Sequence, residues 1–237
     1  MKILTLDSSG KFITAGIVLI KGKKVECLGY INNLEEKPKK IEISNILNKL
    51  LGTFNEKSSK KIDLIATTIG PGSFTGIRAS ISLSLGLSLA LNIPKEGINN
   101  MDKLHVLVLK NRKHINTLNV GLLTLSDTKR NTLFARLVDI KTDKAKANEI
   151  KTLSIESLIK MKKLSKFKKI LITGDFSEEA SFFLNKKGFD AESILDKETI
   201  YGKEASIAIA ELALMQIKTK TNKNFRPEYL SDPLVGF

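Results

Sequence analysis

The sequence predicts an α/β protein with mixed β-sheets flanked by helices, and two observations lead to this class. The chain begins with three short apolar runs, 2–7, 12–20 and 25–31, separated by turn residues, which is typical of hairpin-linked strands. A segment of helical periodicity, a buried strand over 62–69 and a second helix then follow in order. Elements in this order pack helices against a mixed sheet.

The first predicted helix covers 41–54. Its apolar positions recur at helical spacing: Ile43, Leu47, Leu50, Leu51 and Phe54. The second helix follows the strand at 62–69 and a glycine-rich loop, and it extends to about residue 91. Both helices need a surface to pack against, which the strands before them provide.

The second half of the chain repeats this order of strands and helices less regularly. The predicted elements are a hairpin of 118–125 and 132–140, a helix over 154–163, a strand over 169–173, a helix over 177–187 and a closing helix over 204–218. Asn99-Asn100 interrupts the pattern, so the boundary is expected near 99–103. We therefore expect two related α/β domains, 1–103 and 104–237.

Composition narrows the function classes. The formal net charge is +14, and only five of the 39 basic residues are arginine. Scattered lysine is typical of a solvated surface, whereas an RNA-binding face would also explain the charge, and both interpretations stay open. Cys27 is the only cysteine, so an intramolecular disulfide is excluded. The first residues lack a signal-peptide pattern, and we expect a cytoplasmic protein.

Metal and hydrolase sites are not predicted. His105 and His114 are the only histidines and stand nine residues apart, which does not place two imidazoles on one helix face. A nucleophile-elbow pattern is also missing from the sequence. We expect no metal, no cofactor and no catalytic residue.

The most informative stretch is the loop between the buried strand and the second helix. It reads Gly70, Pro71, Gly72, Ser73, Phe74, Thr75, Gly76, Ile77 and Arg78. Its glycines allow close backbone approach, and Ser73 or Thr75 can cap the helix. The loop is either a structural tight turn or a phosphate cradle at a helix N-terminus. Its spacing is neither a P-loop nor a dinucleotide fingerprint.

The helix after this loop has no charged residue from 79 to 94. Such a helix is either buried within its own chain or faces a partner. It is short and serine-rich for a membrane span. Small side chains at helical spacing would let a second helix approach. The predicted partner interface is Leu47, Ser80, Ser84, Leu87 and Ser88.

These features together resemble the TsaB (YeaZ) family. The nine-residue loop 70–78 and the stretch Leu6-Asp7-Ser8-Ser9 carry the resemblance. Asp127 in a hairpin turn, Gly174-Asp175 after a short strand, and the stretch 227–230 support it.

The resemblance implies a two-lobed actin/Hsp70-like (ribonuclease H-like) fold whose closing helix, 204–218, packs back towards the first lobe. It also implies a non-catalytic subunit that pairs with TsaD through the helices of the first lobe. TsaE would join a larger complex, tRNA would be contacted weakly or indirectly, and the chain alone would form a homodimer. Membrane association is not implied.

Three departures from the family pattern and several alternative functions remain. Residues 39–42 replace a His-Ser pair, and Lys129 and Ser231 each stand where an arginine is common.

Asp7 ends the first strand, where sugar kinases and actin-like ATPases use an aspartate to organise nucleotide and metal; a capping or turn role is the other interpretation. A glycoprotease-like metallopeptidase, a nucleotide-binding enzyme of the same superfamily and a plain RNA-binding protein are the competing functions.

Overall fold

The computed structural model describes residues 1–34, 43–55, 62–111, 119–140, 150–161, 163–221 and 225–228. These residues form two compact units. The first comprises Met1–Lys103 with Asp196–Glu228, and the second comprises Leu104–Leu195.

The first unit contains a five-stranded mixed sheet. Its strands are β1 (Lys2–Asp7), β2 (Thr14–Lys21), β3 (Lys24–Asn32), β4 (Leu64–Gly70) and β5 (Lys95–Asn99). The order across the sheet is β3-β2-β1-β4-β5. The first three strands are antiparallel neighbours, and β4 and β5 run parallel to β1.

Helices cover both faces of this sheet. They are α1 (Ile43–Asn55) and α2 (Phe74–Leu91) on one face and α6 (Lys203–Thr219) on the other, and the unit also contains the start of α3 (Asn100–Asn111) and α5 (Lys197–Tyr201). On one face, Leu4 and Ile17 pack into a core with Leu47 and Leu50 of α1. On the other face α6 lies close to the sheet, because β2 presents Gly16 where a Cβ would come within 2.3 Å of Ser206 Oγ.

The second unit repeats the same sheet order. Its elements are β6 (Val120–Asp127), β7 (Leu133–Asp139), β8 (Lys151–Leu153), β9 (Lys169–Gly174), α4 (Ser177–Lys186) and β10 (Ala191–Ser193). The order is β10-β9-β6-β7-β8, in which β6 to β8 are antiparallel and β9 and β10 are parallel to β6. Each unit therefore has a three-stranded antiparallel part extended by two parallel strands.

One predicted helix is wrong. The segment expected to be a helix over 154–163 instead follows strand β8 as two 3-10 helices, Glu156–Lys160 and Leu164–Lys166. Leu158, Met161 and Leu164 recur at a spacing of three and are all buried, and this spacing suits the 3-10 helix, in which residues i and i+3 eclipse.

Five of the described elements were not predicted: β5, α3, β8, β10 and α5. Asn99-Asn100, interpreted as a domain boundary, is the junction between β5 and α3. Asn99 Oδ1 accepts hydrogen bonds from the backbone N–H groups of Met101 (2.8 Å) and Asp102 (3.2 Å) and so caps the first turn of α3. The division at residue 103 stays a prediction.

Candidate functional site

The glycine-rich loop is closed by contacts with the residues after β1. Ser73 caps α2, since its Oγ accepts a hydrogen bond from Gly76 N at 3.3 Å. The Ser73 N–H itself donates to Ser9 O at 2.7 Å, and Ser8 Oγ donates to Gly76 O at 2.6 Å. A Cβ at Gly76 would lie 1.9 Å from Ser8 O, so only glycine permits this approach. Because these amides are used inside the chain, the geometry favours the tight turn over a phosphate cradle.

The opposite side of the loop is held by the segment 225–228. The Glu228 N–H donates to Ile69 O at 2.8 Å, and the Asn99 amide donates to the Glu228 carboxylate. Phe225 packs against a small buried cluster that contains Ile77 of α2. Gly70, which precedes a cis peptide bond to Pro71, adopts a φ of +119° that favours glycine. The loop is thus clamped between the β1 turn and this segment.

The first turn of α2 also carries an aromatic–cation pair. The Arg78 guanidinium lies 3.8 Å from the centroid of the Phe74 ring. Both Arg78 and Thr75 are exposed, whereas Phe74 is half-buried. This pair provides the only charge on α2, because the helix has no charged residue after Arg78.

Asp7, at the end of β1, is fully buried and paired with a lysine. Lys103 Nζ lies 2.6 Å from Asp7 Oδ2, and Lys103 is itself 1% exposed. Asp7 Oδ1 accepts from Ser9 N (3.0 Å), Ser9 Oγ (2.7 Å) and Thr68 Oγ1 (2.7 Å). Burial alone would raise the pKa of Asp7, but the charge of Lys103 and these hydrogen bonds together hold that pKa below its ordinary value.

The turn role expected of Asp7 is confirmed by its bond to Ser9 N, whereas its partner Lys103 was missed. Lys103 is separated from Asp7 by 96 residues, and it precedes a run of buried apolar residues in α3. The sequence did contain a signal for this pair, because Lys103 lies among the apolar residues Met101, Leu104 and Leu107.

The donor set around Asp7 does not fit a divalent cation, because the Lys103 ammonium already neutralises the carboxylate. Among the described residues, no group of three or more His, Cys, Asp and Glu side chains is placed to hold a metal ion. His105 is buried in α3, and His114 lies outside the described residues. Burial raises the pKa of the half-buried Cys27 thiol, which favours its neutral form.

The predicted interface on α2 requires a correction. Ser80 and Ser84 are 0% exposed and Ser88 is 7% exposed, and Leu47 of α1 is also buried. The serines face the chain's own interior, where Ser88 Oγ donates to Ile93 O at 2.7 Å. Their small side chains let α2 pack closely on its own sheet, so these four residues are not available to a partner. Leu87 is half-buried against the same core.

The opposite side of α2 forms an exposed, uncharged surface, here called the α2 face. It consists of Ala79, Ser82, Gly86, Leu89 and Ala90. Leu89 on this face is 79% exposed, whereas Leu91, the last residue of the helix, is 47% exposed and lies on the side of Ser84 and Ser88. Apart from the adjacent backbone of α2 itself, no described atom lies within 4 Å of a Cβ built at Gly86, so the middle of this surface is open. By length and composition α2 could also cross a membrane, and 28% of its residues are buried in the protein.

In the second unit, two aspartates that supported the family resemblance shape a hairpin turn. Asp175 accepts a hydrogen bond from Asp127 N at 3.0 Å. Asp127 accepts from Lys129 N at 2.7 Å and pairs with Lys129 Nζ at 2.8 Å. Lys129 therefore stabilises the turn between β6 and β7 with its own ion pair. Residues 39–42 and Ser231 lie outside the described residues.

Comparison with known proteins agrees with this architecture. The model of the family described as "TsaD: tRNA N6-adenosine threonylcarbamoyltransferase" matches residues 39–182, more than half of the chain. Two curated relatives carry the name tRNA threonylcarbamoyladenosine biosynthesis protein TsaB. The protein of Buchnera aphidicola subsp. Schizaphis graminum is 39% identical over 103 residues, and that of subsp. Baizongia pistaciae is 48% identical over 40 residues.

These two alignments cover 42% and 17% of this chain, and 44% and 18% of the respective relatives. The chain thus aligns with less than half the length of either relative.

Two solved structures share the fold over nearly the whole chain. YeaZ from Pseudomonas aeruginosa superposes with a TM-score of 0.62 at 16% identity, and the match covers 97% of this chain and 99% of that one. A protein described as similar to peptidase YeaZ from Pseudomonas aeruginosa gives a TM-score of 0.66 at 14% identity with the same coverage. At these identities the likeness shows the fold.

Two mixed sheets of identical strand order, each flanked by helices, define a protein of the actin/Hsp70-like class with ribonuclease H-like halves. Within that class, the chain belongs to the TsaD family that the model describes, and it is similar to the proteins named TsaB and YeaZ.

Proposed function

We propose that this protein is a non-catalytic subunit that binds and supports TsaD, with TsaE joining the complex, during threonylcarbamoyl transfer to the tRNA adenosine beside the anticodon. The complex would act in the cytoplasm. The observation that carries the proposal is the α2 face, which exposes leucine and carries no charge beyond Arg78 in the first turn of the helix. The names of the relatives supply the reaction in which the subunit takes part.

The α2 face suits a helix partner for a physical reason. Fully burying a leucine side chain contributes roughly 1.5–3 kcal/mol, so Leu89, which is 79% exposed, offers a sizeable gain when a partner covers it. Gly86, one turn before Leu89 on the same side of the helix, leaves room for a second backbone to approach. TsaD is the proposed partner, and a second copy of this chain would use the same surface when TsaD is absent.

The pairing of Asp7 with Lys103 supports a non-catalytic role. An aspartate that organises metal and nucleotide needs a carboxylate free to contact a cation. Here both carboxylate oxygens of Asp7 already have donors, and one of these donors is a buried ammonium 2.6 Å away. The arrangement therefore weighs against the nucleotide-binding alternative at this position.

The test uses the substitution Ser82→Arg. Ser82 is exposed in the middle of the α2 face, so arginine adds bulk and charge to the surface without entering the core. We expect a folded monomer by size exclusion and circular dichroism that no longer co-elutes with TsaD.

The matched control is Ser165→Arg, which makes the same change at an exposed site in the second unit. It should keep both the homodimer and the TsaD complex. A Ser82→Arg variant that pairs with TsaD as tightly as the unsubstituted chain would refute the proposed surface.

A further inference from the structure

A second surface of the first unit has the form of a docking groove, here called the hairpin groove. It has a volume of about 360 Å³ and lies between the turn joining β2 to β3 and the last turns of α6. Its walls are Ile20, Gly22 and Val25 of the hairpin, and Glu211, Leu214, Met215, Lys218 and Thr219 of α6. The groove is on the face of the sheet that α6 covers, opposite the face that carries α1 and α2.

The centre of the groove is apolar and open. Ile20 is buried, Val25 and Leu214 are half-buried, and Met215 is 54% exposed. A methionine here offers a flexible, polarisable contact that adapts to different side chains. Gly22 adopts a φ of +58°, and no described atom lies within 4 Å of a Cβ built on it, so the turn leaves one end of the groove open.

The rim of the groove is basic. The exposed lysines near it are Lys21, Lys23, Lys24, Lys218 and Lys220. Two acidic residues lie in the same region: Glu26, which pairs with Lys24 at 3.5 Å, and Glu211 in the wall. The lysines outnumber the carboxylates, so an acidic occupant would be attracted to the rim.

We infer that the hairpin groove binds an acidic amphipathic helix of a partner protein. An apolar floor with a basic rim is complementary to a helix that has apolar anchors on one face and carboxylates beside them. The groove wall from Glu211 to Thr219 is about 13 Å long at 1.5 Å per residue, which accommodates anchors at i, i+4 and i+7. Single-stranded RNA fits less well, because the lining residues include no aromatic ring for base stacking. This inference does not depend on the proposed function.

The probe is a synthetic 14-residue helical peptide with Leu, Phe and Leu at i, i+4 and i+7, and Glu at most other positions. The full chain is labelled with [13C-methyl]methionine, which yields four signals, from Met1, Met101, Met161 and Met215. The Met215 signal should shift saturably, with a Kd below about 1 mM that weakens as salt rises. The signals of the buried Met101 and Met161 should not move.

A control peptide with Lys in place of every Glu should leave Met215 unshifted. Met215→Glu should weaken binding of the fluorescein-labelled acidic peptide at least tenfold, because the new carboxylate at the centre of the groove would repel the carboxylates of the peptide. Phe182→Glu, the same change at a 64% exposed site in the second unit, should not alter the affinity. Lys218→Glu should reduce the affinity severalfold and lower its salt dependence.

Three outcomes would overturn the inference. The first is an unchanged Met215 signal with the acidic peptide at millimolar concentration. The second is an equal response to the lysine peptide, which would remove the charge argument. The third is a Met215 shift produced by an RNA oligonucleotide and not by the peptide, which would assign the groove to nucleic acid.

Discussion

At the residue scale, the buried ion pair of Asp7 and Lys103 gives the end of β1 a structural role. The turn role of Asp7 could be predicted from sequence, since aspartate after a strand bonds to the backbone two residues on. The ion pair could not, because it depends on α3 approaching β1 from a distant part of the chain. Desolvating two charges is costly, and only their short contact with each other and the added hydroxyl donors offset that cost.

Removing the lysine should therefore destabilise the protein strongly. Lys103→Met leaves Asp7 buried without its counter-ion, and we expect the free energy of unfolding at pH 7 to fall by about 3–5 kcal/mol in urea denaturation. Adding Asp7→Asn to this variant should recover part of the loss, since the unpaired charge is then gone. A double variant that loses as much as the two single variants combined would show that the pair is not coupled.

The pH dependence of the same variant follows from the pKa of Asp7. In the native protein the pKa of Asp7 is lowered, so the pair adds stability at every pH above the aspartate pKa of the unfolded chain, which is about 3.9. This contribution is lost as the pH falls through the lower pKa of the folded state. In Lys103→Met burial dominates and raises the pKa, so protonation at low pH favours the folded variant. The stability difference between the two proteins should narrow from pH 7 to pH 4. A difference that widens over this range would contradict the account.

Two glycines of α2 allow a matched comparison. Gly76→Ala should destabilise the protein by roughly 1–3 kcal/mol, because the new Cβ would meet the Ser8 carbonyl oxygen at 1.9 Å and the loop must move. Gly86→Ala should stabilise it by about 0.5–1 kcal/mol, because the site is open and alanine is the better helix former. Thermal unfolding measures both, and equal effects would mean that the Ser8 contact does not constrain the loop.

At the element scale, the unusual character of α2 could be predicted from sequence, whereas its buried side could not. The missing charge indicated that α2 is not an ordinary surface helix, and its exposed leucines agree. Sequence could not decide which side faces inward, because serine and leucine occur on both sides of the helix. The outcome was set by packing, since the serine row at 80, 84 and 88 allows the closer approach to the sheet.

Substitutions at Ser84 test this orientation. Its Oγ is buried and has no hydrogen-bond partner among the described residues. Ser84→Ala should be neutral or stabilising by up to about 1 kcal/mol, because it removes an unsatisfied hydroxyl. Ser84→Arg should unfold the protein, since an unpaired charge would enter the core. A well-folded Ser84→Arg protein in circular dichroism would place Ser84 on the surface instead.

At the scale of the whole molecule, most of the fold was readable from sequence. Strand β1 was predicted with its observed limits, and strand β4 and the end of α2 were placed within two residues. The omissions are short or weakly patterned: β5 and α5 have five residues each, and β8 and β10 have three each. Such elements depend on their neighbours in the sheet for stability, so their own residues carry little signal.

The net charge of +14 leads to a prediction about RNA. Because the basic residues are mostly lysines spread over the surface, the isolated chain should bind tRNA weakly and with little preference among tRNAs. Filter binding should show the affinity falling steeply as salt is raised from 50 to 200 mM. Tight binding that resists salt and selects particular tRNAs would instead indicate a dedicated RNA site.

The most direct test of the central claim is a reconstituted modification assay with tRNA, a threonylcarbamoyl donor, TsaD and TsaE. We predict that modified adenosine accumulates when this chain is added to TsaD and TsaE, and that Ser82→Arg reduces the yield at least tenfold while Ser165→Arg does not. The chain without TsaD should produce none. Threonylcarbamoyl transfer by this chain alone, or full support from Ser82→Arg, would contradict the account.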